Sequence, residues 1–448
     1  MPHDTCPTVA ILTLGCKLNQ ADSQALAREL LSHGCRVIQR PAPADAYVIN
    51  SCSVTHVADR KSRHLVRLAR RLSPNATVVL AGCYAASGPA DLAGRIGADL
   101  VVSNGDKASL AQELLRRLDD GAGRHAPLPP DGLRTRAFVK IQEGCNEVCS
   151  FCIVPRTRGR ERSVPIERVV TEVLARQSEG VQEVVLTGTQ LGNYGRHLDN
   201  PGGPAPLLAA LLSRTTVPRL RLSSLQAQDI HQDLLRLWED PRLCRHFHLP
   251  LQSGSDRVLA AMRRRYSARQ FLEAVALIRE RVPDVAITTD VMVGFPGETE
   301  ADFEATHRLC QEVGFAAIHV FPYSRRPGTA ASLLRDQVPP VLKRNRLERM
   351  LALARTSAEV FRARFQGRTL AVLWEESRRR GGQTLWQGLT DNYLRVYTDA
   401  EISCPGGRPG ELNGQDLTNR LLPTLLSRAD GDGLWGEPAS AGGGSARG

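Results

Sequence analysis

A chain of 448 residues is too long for one hydrophobic core, since cores stop growing near ~250–300 residues, so two or three domains are expected. Its 42% hydrophobic and 23% charged residues are those of an ordinary folded protein, and 58 Lys+Arg against 47 Asp+Glu leave a formal charge of +11. That surplus favours a polyanionic partner, nucleic acid ahead of membrane, although a basic surface also serves solubility; no apolar run reaches the ~18–20 residues of a membrane span and no signal peptide opens the chain, so no membrane association and a cytoplasmic location are expected.

Residues 1–118 alternate apolar runs with amphipathic helical patterns, which predicts an α/β domain with a parallel sheet. TVAILTLGC reads as a strand, ADSQALARELLSHG as a helix ending on Gly34, and AYVINSC as a second strand. DRKSRHLVRLARRLSP is then a helix stopped at Pro74, ATVVLAGC a third strand and ADLVVSN a fourth. Residues 119–133, rich in Gly and Pro and without periodicity, read as a linker.

Over residues 134–364 the alternation resumes at a length suited to a larger βα-repeat domain. EVVLTG, RLRLSSL, HFHLPL, VAITTDVMVGF and AAIHVFPYS read as strands, separated by helices such as ERVVTEVLARQSEG and ARQFLEAVALIRERVP. Repeated βα units suggest a full or partial barrel with its chemistry at the strand C-termini. Residues 365–427, with GRTLAVLWEES and LWQGLTDNYLRVYT, predict a small all-β module, and residues 428–448 a disordered Gly/Ala/Ser-rich tail.

Eleven cysteines, an odd number, favour metal or redox chemistry over a disulfide framework, and six of them form two triplets. Cys16, Cys52 and Cys83 each end a predicted strand, so in a parallel sheet they share the ligand-binding edge; buried cysteines placed there for packing are the alternative. Cys145, Cys149 and Cys152 have CxxxCxxC spacing, compact enough to wrap one small inorganic core. Thiolate-only sets suit zinc or an iron–sulfur cluster, and zinc would need a distant fourth donor because no further Cys or His precedes His197. Three cysteines on a four-iron cluster leave one iron open. Cys6, Cys35, Cys244, Cys310 and Cys404 show no partner pattern and read as packing or incidental residues.

CxxxCxxC with Phe151 before its third cysteine, at the opening of a βα-repeat domain, resembles the cluster loop of the radical S-adenosylmethionine (SAM) superfamily. GCKLNQADS, NSCSVT and AGCYA narrow the resemblance to the methylthiotransferases, and GLTDNYLRVY is similar to their TRAM module. The family often has Glu after DS and Gln after GCYA, where Gln24 and Ala86 stand here; neither position is a cluster ligand. The resemblance implies an N-terminal parallel α/β domain, a central radical SAM partial (β/α) barrel and a C-terminal TRAM module. It also implies two 4Fe-4S clusters and SAM. The cluster on Cys145, Cys149 and Cys152 would pass an electron to chelated SAM and release a 5′-deoxyadenosyl radical. The cluster on Cys16, Cys52 and Cys83 would hold the sulfur that is methylated and transferred.

Further SAM contacts follow from the same resemblance: Gly188 and Thr189 in LTGTQLGNYG, Ser224 in RLSSL, Gln252 in HLPLQSGS, and Gly294 and Gly297 in DVMVGFPGET, although the glycines equally fit plain turns. Arg156, Arg158, Arg160 and Arg162 lie beside the cluster loop, and Arg60, Arg63, Arg67 and Arg71 share one face of a helix; both groups are candidates for phosphate contact, with plain solvation as the alternative for the helix. A single-stranded loop with splayed bases is the usual target of specific RNA recognition, and a tRNA anticodon stem-loop fits that description.

Within the family, LGCKLNQAD and INSCSVTHVADRKSR are most similar to the branch that methylthiolates carbon 2 of N6-threonylcarbamoyladenosine at tRNA position 37. Isopentenyladenosine in tRNA and an aspartate of a ribosomal protein are the other family substrates. The branch acting on isopentenyladenosine tends toward GCQMN, and a basic protein suits a cationic ribosomal partner poorly. An electron donor such as flavodoxin or ferredoxin is implied. The non-enzyme alternative is an RNA-binding adaptor with structural zinc.

Overall fold

The computed structural model describes residues 6–89, 91–118, 126–128, 135–198, 202–380, 382–399 and 416–439. Strands β1 (Thr8–Thr13), β2 (Arg36–Ile38), β3 (Ala46–Ser51), β4 (Thr77–Gly82) and β5 (Leu100–Val102) form a parallel sheet in the order β2-β1-β3-β4-β5. Successive residues feed opposite cores, Val9, Ile11 and Val48 on one side and Ala10, Leu12, Tyr47 and Ile49 on the other. Burial of both faces explains the unbroken apolar runs of β1, β3 and β4. β2, three partly exposed residues at the edge, has no such run and escapes the sequence pattern.

Helix α1 (Lys17–Ser32) starts four residues before the amphipathic pattern suggests, with Cys16 at its N-cap. Helix α2 (His56–Leu72) is capped by the Thr55 side chain, which accepts from the Ala58 N–H. Helix α3 (Cys83–Ser87) follows β4 directly. Most of the expected linker lies outside the described residues; at its described part, the Leu128 N–H donates to the Leu31 carbonyl.

The central domain has two parallel three-stranded sheets joined by a bridge between Leu220 and Leu243. One, in the order β10-β9-β6, holds β6 (Arg136–Lys140), β9 (Glu183–Thr187) and β10 (Arg219–Leu222). The other, in the order β11-β12-β13, holds β11 (His246–His248), β12 (Ala286–Val293) and β13 (Ala317–Pro322). The small antiparallel pair β7 (Gln142–Glu143) and β8 (Arg162–Ser163) brackets the CxxxCxxC loop. The result is a partial barrel. Val139, Val184, Leu220, Phe247, Ile287 and Val291 pack outward beneath helices, while the alternate residues, among them Arg136, Lys140, Arg221, His246, His248 and Asp290, line the concave face. The free edge of β6 is closed by α1: Gln24 accepts from the Phe138 N–H at 2.9 Å and donates to the Arg136 carbonyl at 3.1 Å.

Strands β14 (Thr369–Arg380), β15 (Gln383–Thr390), β16 (Arg395–Asp399), β17 (Leu421–Asp430) and β18 (Gly433–Pro438) close a barrel in the order β14-β15-β16-β18-β17. The disordered tail expected from residue 428 is corrected here: residues 428–438 complete β17 and form β18, and β18 is the strand that closes the barrel. The glycines that suggested disorder are packing positions, because a Cβ on Gly433 would lie 2.6 Å from the Arg395 carbonyl oxygen and one on Gly436 2.5 Å from Val396. Residues 440–448 and Cys404 lie outside the described residues. Among the described residues no helix is long and apolar enough to cross a membrane.

Candidate active site

β1, β3 and β4 are neighbours in the sheet, so Cys16, Cys52 and Cys83, one beyond the C-terminal end of each, come together at one edge. Glycines allow the loops to close. Gly15 has φ +94°, and a Cβ there would fall 2.6 Å from Cys52 Cβ; Gly82 has φ +98°, and a Cβ there would fall 2.6 Å from the Ser51 carbonyl oxygen. Asn19 Nδ2 braces two of the loops by donating to the carbonyls of Leu14 at 2.7 Å and Ser51 at 2.9 Å. Asn104 Nδ2 reaches Cys83 Sγ at 3.5 Å and the Thr157 carbonyl at 2.8 Å. Burial pushes the Cys52 thiol up to about 11, and the neighbouring Cys83 and Cys16 sulfurs push the same way.

The second triplet faces the first, because α3, which begins with Cys83, packs against the short helix Val154–Arg158 that follows Cys152. Each of its sulfurs has a nitrogen donor: the Glu147 N–H to Cys145 at 3.4 Å, the Val154 N–H to Cys152 at 3.5 Å and Arg264 Nη1 to Cys149 at 3.5 Å. Burial raises Cys145 to about 11 and Cys152 to about 12. Among the described residues no three His, Cys, Asp or Glu side chains are arranged to hold a single metal ion. Soft thiolates with N–H donors aimed at sulfur fit an iron–sulfur cluster.

Arg158 joins residues that flank the two triplets, Asn19 after Cys16 and Glu143 before Cys145. Expected to contact RNA, it is instead 4% exposed, donating to Glu143 at 2.6 Å and to Asn19 Oδ1 at 2.5 Å, and standing 3.6 Å from Asp22. Its alternation with exposed Arg156, Arg160 and Arg162 gave the sequence no means of separating them. Arg326 was not foreseen; it is buried, with Asp59 at 2.7 Å and Ser53 Oγ at 2.6 Å, and so ties the loop after Cys52 to the central domain. On α2, Arg60, Arg67 and Arg71 are exposed, whereas Arg63 donates to the Tyr84 hydroxyl at 2.9 Å.

Gln142 organises the rim beside the second triplet. Its Oε1 accepts from the N–H groups of Thr189 and Gln190 at 2.8 and 2.9 Å, and its Nε2 donates to the Gly144 carbonyl at 3.0 Å. Gly188 packs against Gln142 and Leu191, leaving no room for a side chain. Thr189 Oγ1, Gln190 Nε2, Ser223 Oγ and Arg264 Nη2 are buried without a partner among the described residues. Orphaned polar atoms clustered at strand C-termini fit a polar cofactor. Ser223, in the alternation of Arg219 and Arg221, carries one of these buried hydroxyls, whereas the neighbouring Ser224 is partly exposed.

Gln252 adopts φ +63°, rare for a residue with a side chain, and pairs its backbone with Asp290 and Met292. The two glycines after β12 serve the turn. The Gly294 N–H donates to Glu298, and a Cβ on Gly294 would collide with the Lys343 stem. The Gly297 N–H donates to the Asp336 carbonyl. Phe151 packs with Val258, Met262, Phe295 and Tyr323.

The floor of the concave face is a polar cluster shared by three domains. Tyr393, from the β15–β16 turn, stacks on His246 with ring centroids 4.5 Å apart; Arg221 lies 4.9 Å and Lys17 Nζ 5.6 Å from its centroid. Burial opposes ionisation of Tyr393, but Lys17, Arg136 and Arg221 together bring its pKa below the usual phenol range. Burial also lowers the Lys17 ammonium, with the Tyr393 phenol opposing that shift. His248 Nε2 lies 3.3 Å from Asp290.

Residues 139–310 match the Radical SAM superfamily model and residues 8–103 the model of uncharacterized protein family UPF0004. Threonylcarbamoyladenosine tRNA methylthiotransferase MtaB of Bacillus subtilis is 36% identical over 409 residues, 87% of this chain and 90% of that one. The chain belongs to the radical SAM methylthiotransferases. The Aquifex aeolicus protein of the same name is 37% identical, covering 87% of this chain and 96% of that one. A tRNA-2-methylthio-N(6)-dimethylallyladenosine synthase of Syntrophobacter fumaroxidans is 35% identical, covering 95% of this chain and 94% of that one. Among solved structures, radical S-adenosylmethionine methyltransferase TsrM from Kitasatospora setae superposes with a TM-score of 0.52 at 16% identity, covering 73% of this chain and 77% of that one, a likeness of fold alone. A methylthiotransferase of this superfamily uses SAM and a 4Fe-4S cluster, and the CxxxCxxC loop with its orphaned rim is a fitting place for both.

Proposed function

We propose that the chain installs a methylthio group on carbon 2 of N6-threonylcarbamoyladenosine at position 37 of tRNA. The observation that carries the reaction type is the convergence of two three-cysteine sets, one from each of two domains, across the packed pair α3 and Val154–Arg158. In this reading Cys145, Cys149 and Cys152 hold the cluster whose open iron takes SAM, and Cys16, Cys52 and Cys83 hold a second 4Fe-4S cluster. Bound together, these groups supply the one-electron and sulfur chemistry needed to replace an unactivated C–H bond, which side chains cannot do.

The protein's own part is positional. Gln142 fixes the Thr189–Gln190 turn, where Thr189 Oγ1, Gln190 Nε2 and the nearby Ser223 hydroxyl are free for SAM, while Asn19 and Arg158 hold the two cysteine loops in register. The exposed Arg60, Arg67, Arg156, Arg160 and Arg162, with Arg63 beside them, supply phosphate contacts to an anticodon stem-loop. A low-potential donor such as flavodoxin or ferredoxin completes the reaction, in the cytoplasm.

The threonylcarbamoyl reading is supported by the names of relatives at 36% and 37% identity and by a concave face rich in charged groups. The 35% identity to a dimethylallyladenosine enzyme favours a second reading with that apolar substituent. Mass spectrometry of tRNA nucleosides from a deletion strain decides between them. Loss of methylthiolated threonylcarbamoyladenosine is expected; loss of only the dimethylallyl product refutes the proposal. Anaerobic reconstitution is expected to give about eight irons per chain, falling to about four in Cys16→Ala; four in the wild type, or bound zinc, refutes the second cluster.

A further inference from the structure

Lys17 follows Cys16 directly, and its side chain runs from the first cysteine set onto the concave face of the central strands, ending 5.6 Å from the centroid of Tyr393. The other cations there have carboxylate partners: Arg136 pairs with Glu375, Arg221 with Glu183 at 2.7 Å, and Lys140 with Asp22 at 2.7 Å. Lys17 makes no ion pair among the described residues. The nearby carboxylates are engaged elsewhere: Glu183 is held at both oxygens by Arg221, Glu375 pairs with Arg136, and Asp290 stands 3.3 Å from His248. A partly buried ammonium that lies over the Tyr393 ring but pairs with no carboxylate among the described residues has lost part of its hydration without gaining a carboxylate partner, which leaves it ready to accept one from a ligand.

The proposed substrate carries such an anion. On adenine, N6 and C2 flank N1 along one edge of the ring, so a substituent on N6 lies on the side of the base that must face the first cysteine set. Threonylcarbamoyl bears a carboxylate; dimethylallyl is a hydrocarbon. We infer that the Lys17 ammonium takes the carboxylate of the N6-threonylcarbamoyl group and thereby selects this base over one with an apolar or absent N6 substituent. The inference rests on the substrate reading above.

The test is equilibrium binding by fluorescence anisotropy, with reconstituted full-length protein and anticodon stem-loops bearing threonylcarbamoyladenosine, its methyl ester, or unmodified adenosine. Wild type is expected to bind the acid about 10- to 100-fold more tightly than the ester, the range of a charge-assisted hydrogen bond. Lys17→Gln, which keeps the stem and removes the charge, is expected to abolish that ratio at unchanged iron content and melting temperature, and Lys17→Arg to retain most of it. If wild type prefers the acid and Lys17→Gln keeps the same ratio, Lys17 is not the partner, although the substrate reading stands. If Lys17→Gln weakens all three RNAs equally, the residue contacts phosphate and the inference fails. If wild type shows no preference for the threonylcarbamoyl RNA over the unmodified one, the substrate reading itself fails.

Discussion

Asp22 gathers three cations around one buried carboxylate, with Lys107 and Lys140 each at 2.7 Å and Arg158 at 3.6 Å. Burial alone would raise its pKa, but the three cations outweigh it and hold the group at about 2, down from 3.8. Because the folded value lies below the unfolded one, the carboxylate contributes stability above about pH 4 that is lost as the pH falls through about 2. The drop corresponds to about 2 kcal/mol. Asp22→Asn is therefore expected to unfold at lower urea than wild type near neutral pH, and the gap in midpoint is expected to narrow as the pH falls from about 5 toward 2. A gap that stays constant over that range would show that the ionised form is not what stabilises. Arg158 belongs to the same network. Removing one partner of a buried pair strands the rest, so Arg158→Met is expected to cost about 3–5 kcal/mol, against about 0.5 kcal/mol for the exposed Arg162→Ala. Denaturant titration of both variants checks this; equal small losses would return Arg158 to the surface role that its sequence context suggests.

At the scale of elements, α2 shows what periodicity can and cannot disclose. Its pattern separates an arginine face from an apolar one of Leu65, Leu68 and Leu72; the exposed Arg60 and Arg67 agree with it, but those leucines are only partly buried and the fully buried apolar residues are Val66 and Ala69. The same face also buries Asp59 and Ser62, which no apolar pattern signals; Asp59 is buried because Arg326, 267 residues away in sequence, comes to meet it. The strand-end cysteines were legible for a related reason: strand order makes neighbours of β1, β3 and β4, and the parallel α/β pattern implies that shared edge. Pairings such as Arg158 with Asn19, or Tyr393 with Lys17, join different domains and leave no local trace in the chain. If α2 grips phosphate, Arg60→Ala/Arg67→Ala is expected to flatten the slope of log affinity for tRNA against log salt by up to about 1.4–1.8, from ~0.7–0.9 per phosphate. Arg70→Ala is the control, since Arg70 donates to the carbonyls of Gly97 at 3.0 Å and Ala76 at 2.7 Å. An unchanged slope in the double variant would make the arginine face a solvated surface.

At the scale of the molecule, the C-terminal barrel has its own core, into which residues of the central domain insert. Phe361, at the end of the helix Pro340–Ala363, and Phe365 just beyond it are buried with Val372, Trp374, Val396 and Leu426 of the barrel. Arg219 donates to the Leu389 carbonyl at 3.0 Å and Arg221 to the Asp391 carbonyl at 2.8 Å, while Arg245 pairs with Asp391 at 2.6 Å. Cutting the chain after residue 364 would expose Phe361 and take backbone acceptors from two arginines that are 3% and 1% exposed. Opening a buried aromatic cluster costs on the order of 3–5 kcal/mol per large side chain lost from it. The truncated protein is therefore expected to melt several degrees lower than the full chain and to lose iron from the central cluster, in the absence of any RNA. Binding tRNA cannot be the only loss, because Tyr393 stacks on His246 at the floor of the concave face and its removal opens that floor to water. A truncated chain with the full-length melting temperature and iron content, impaired only in RNA binding, would reduce the barrel to an independent RNA-binding appendage.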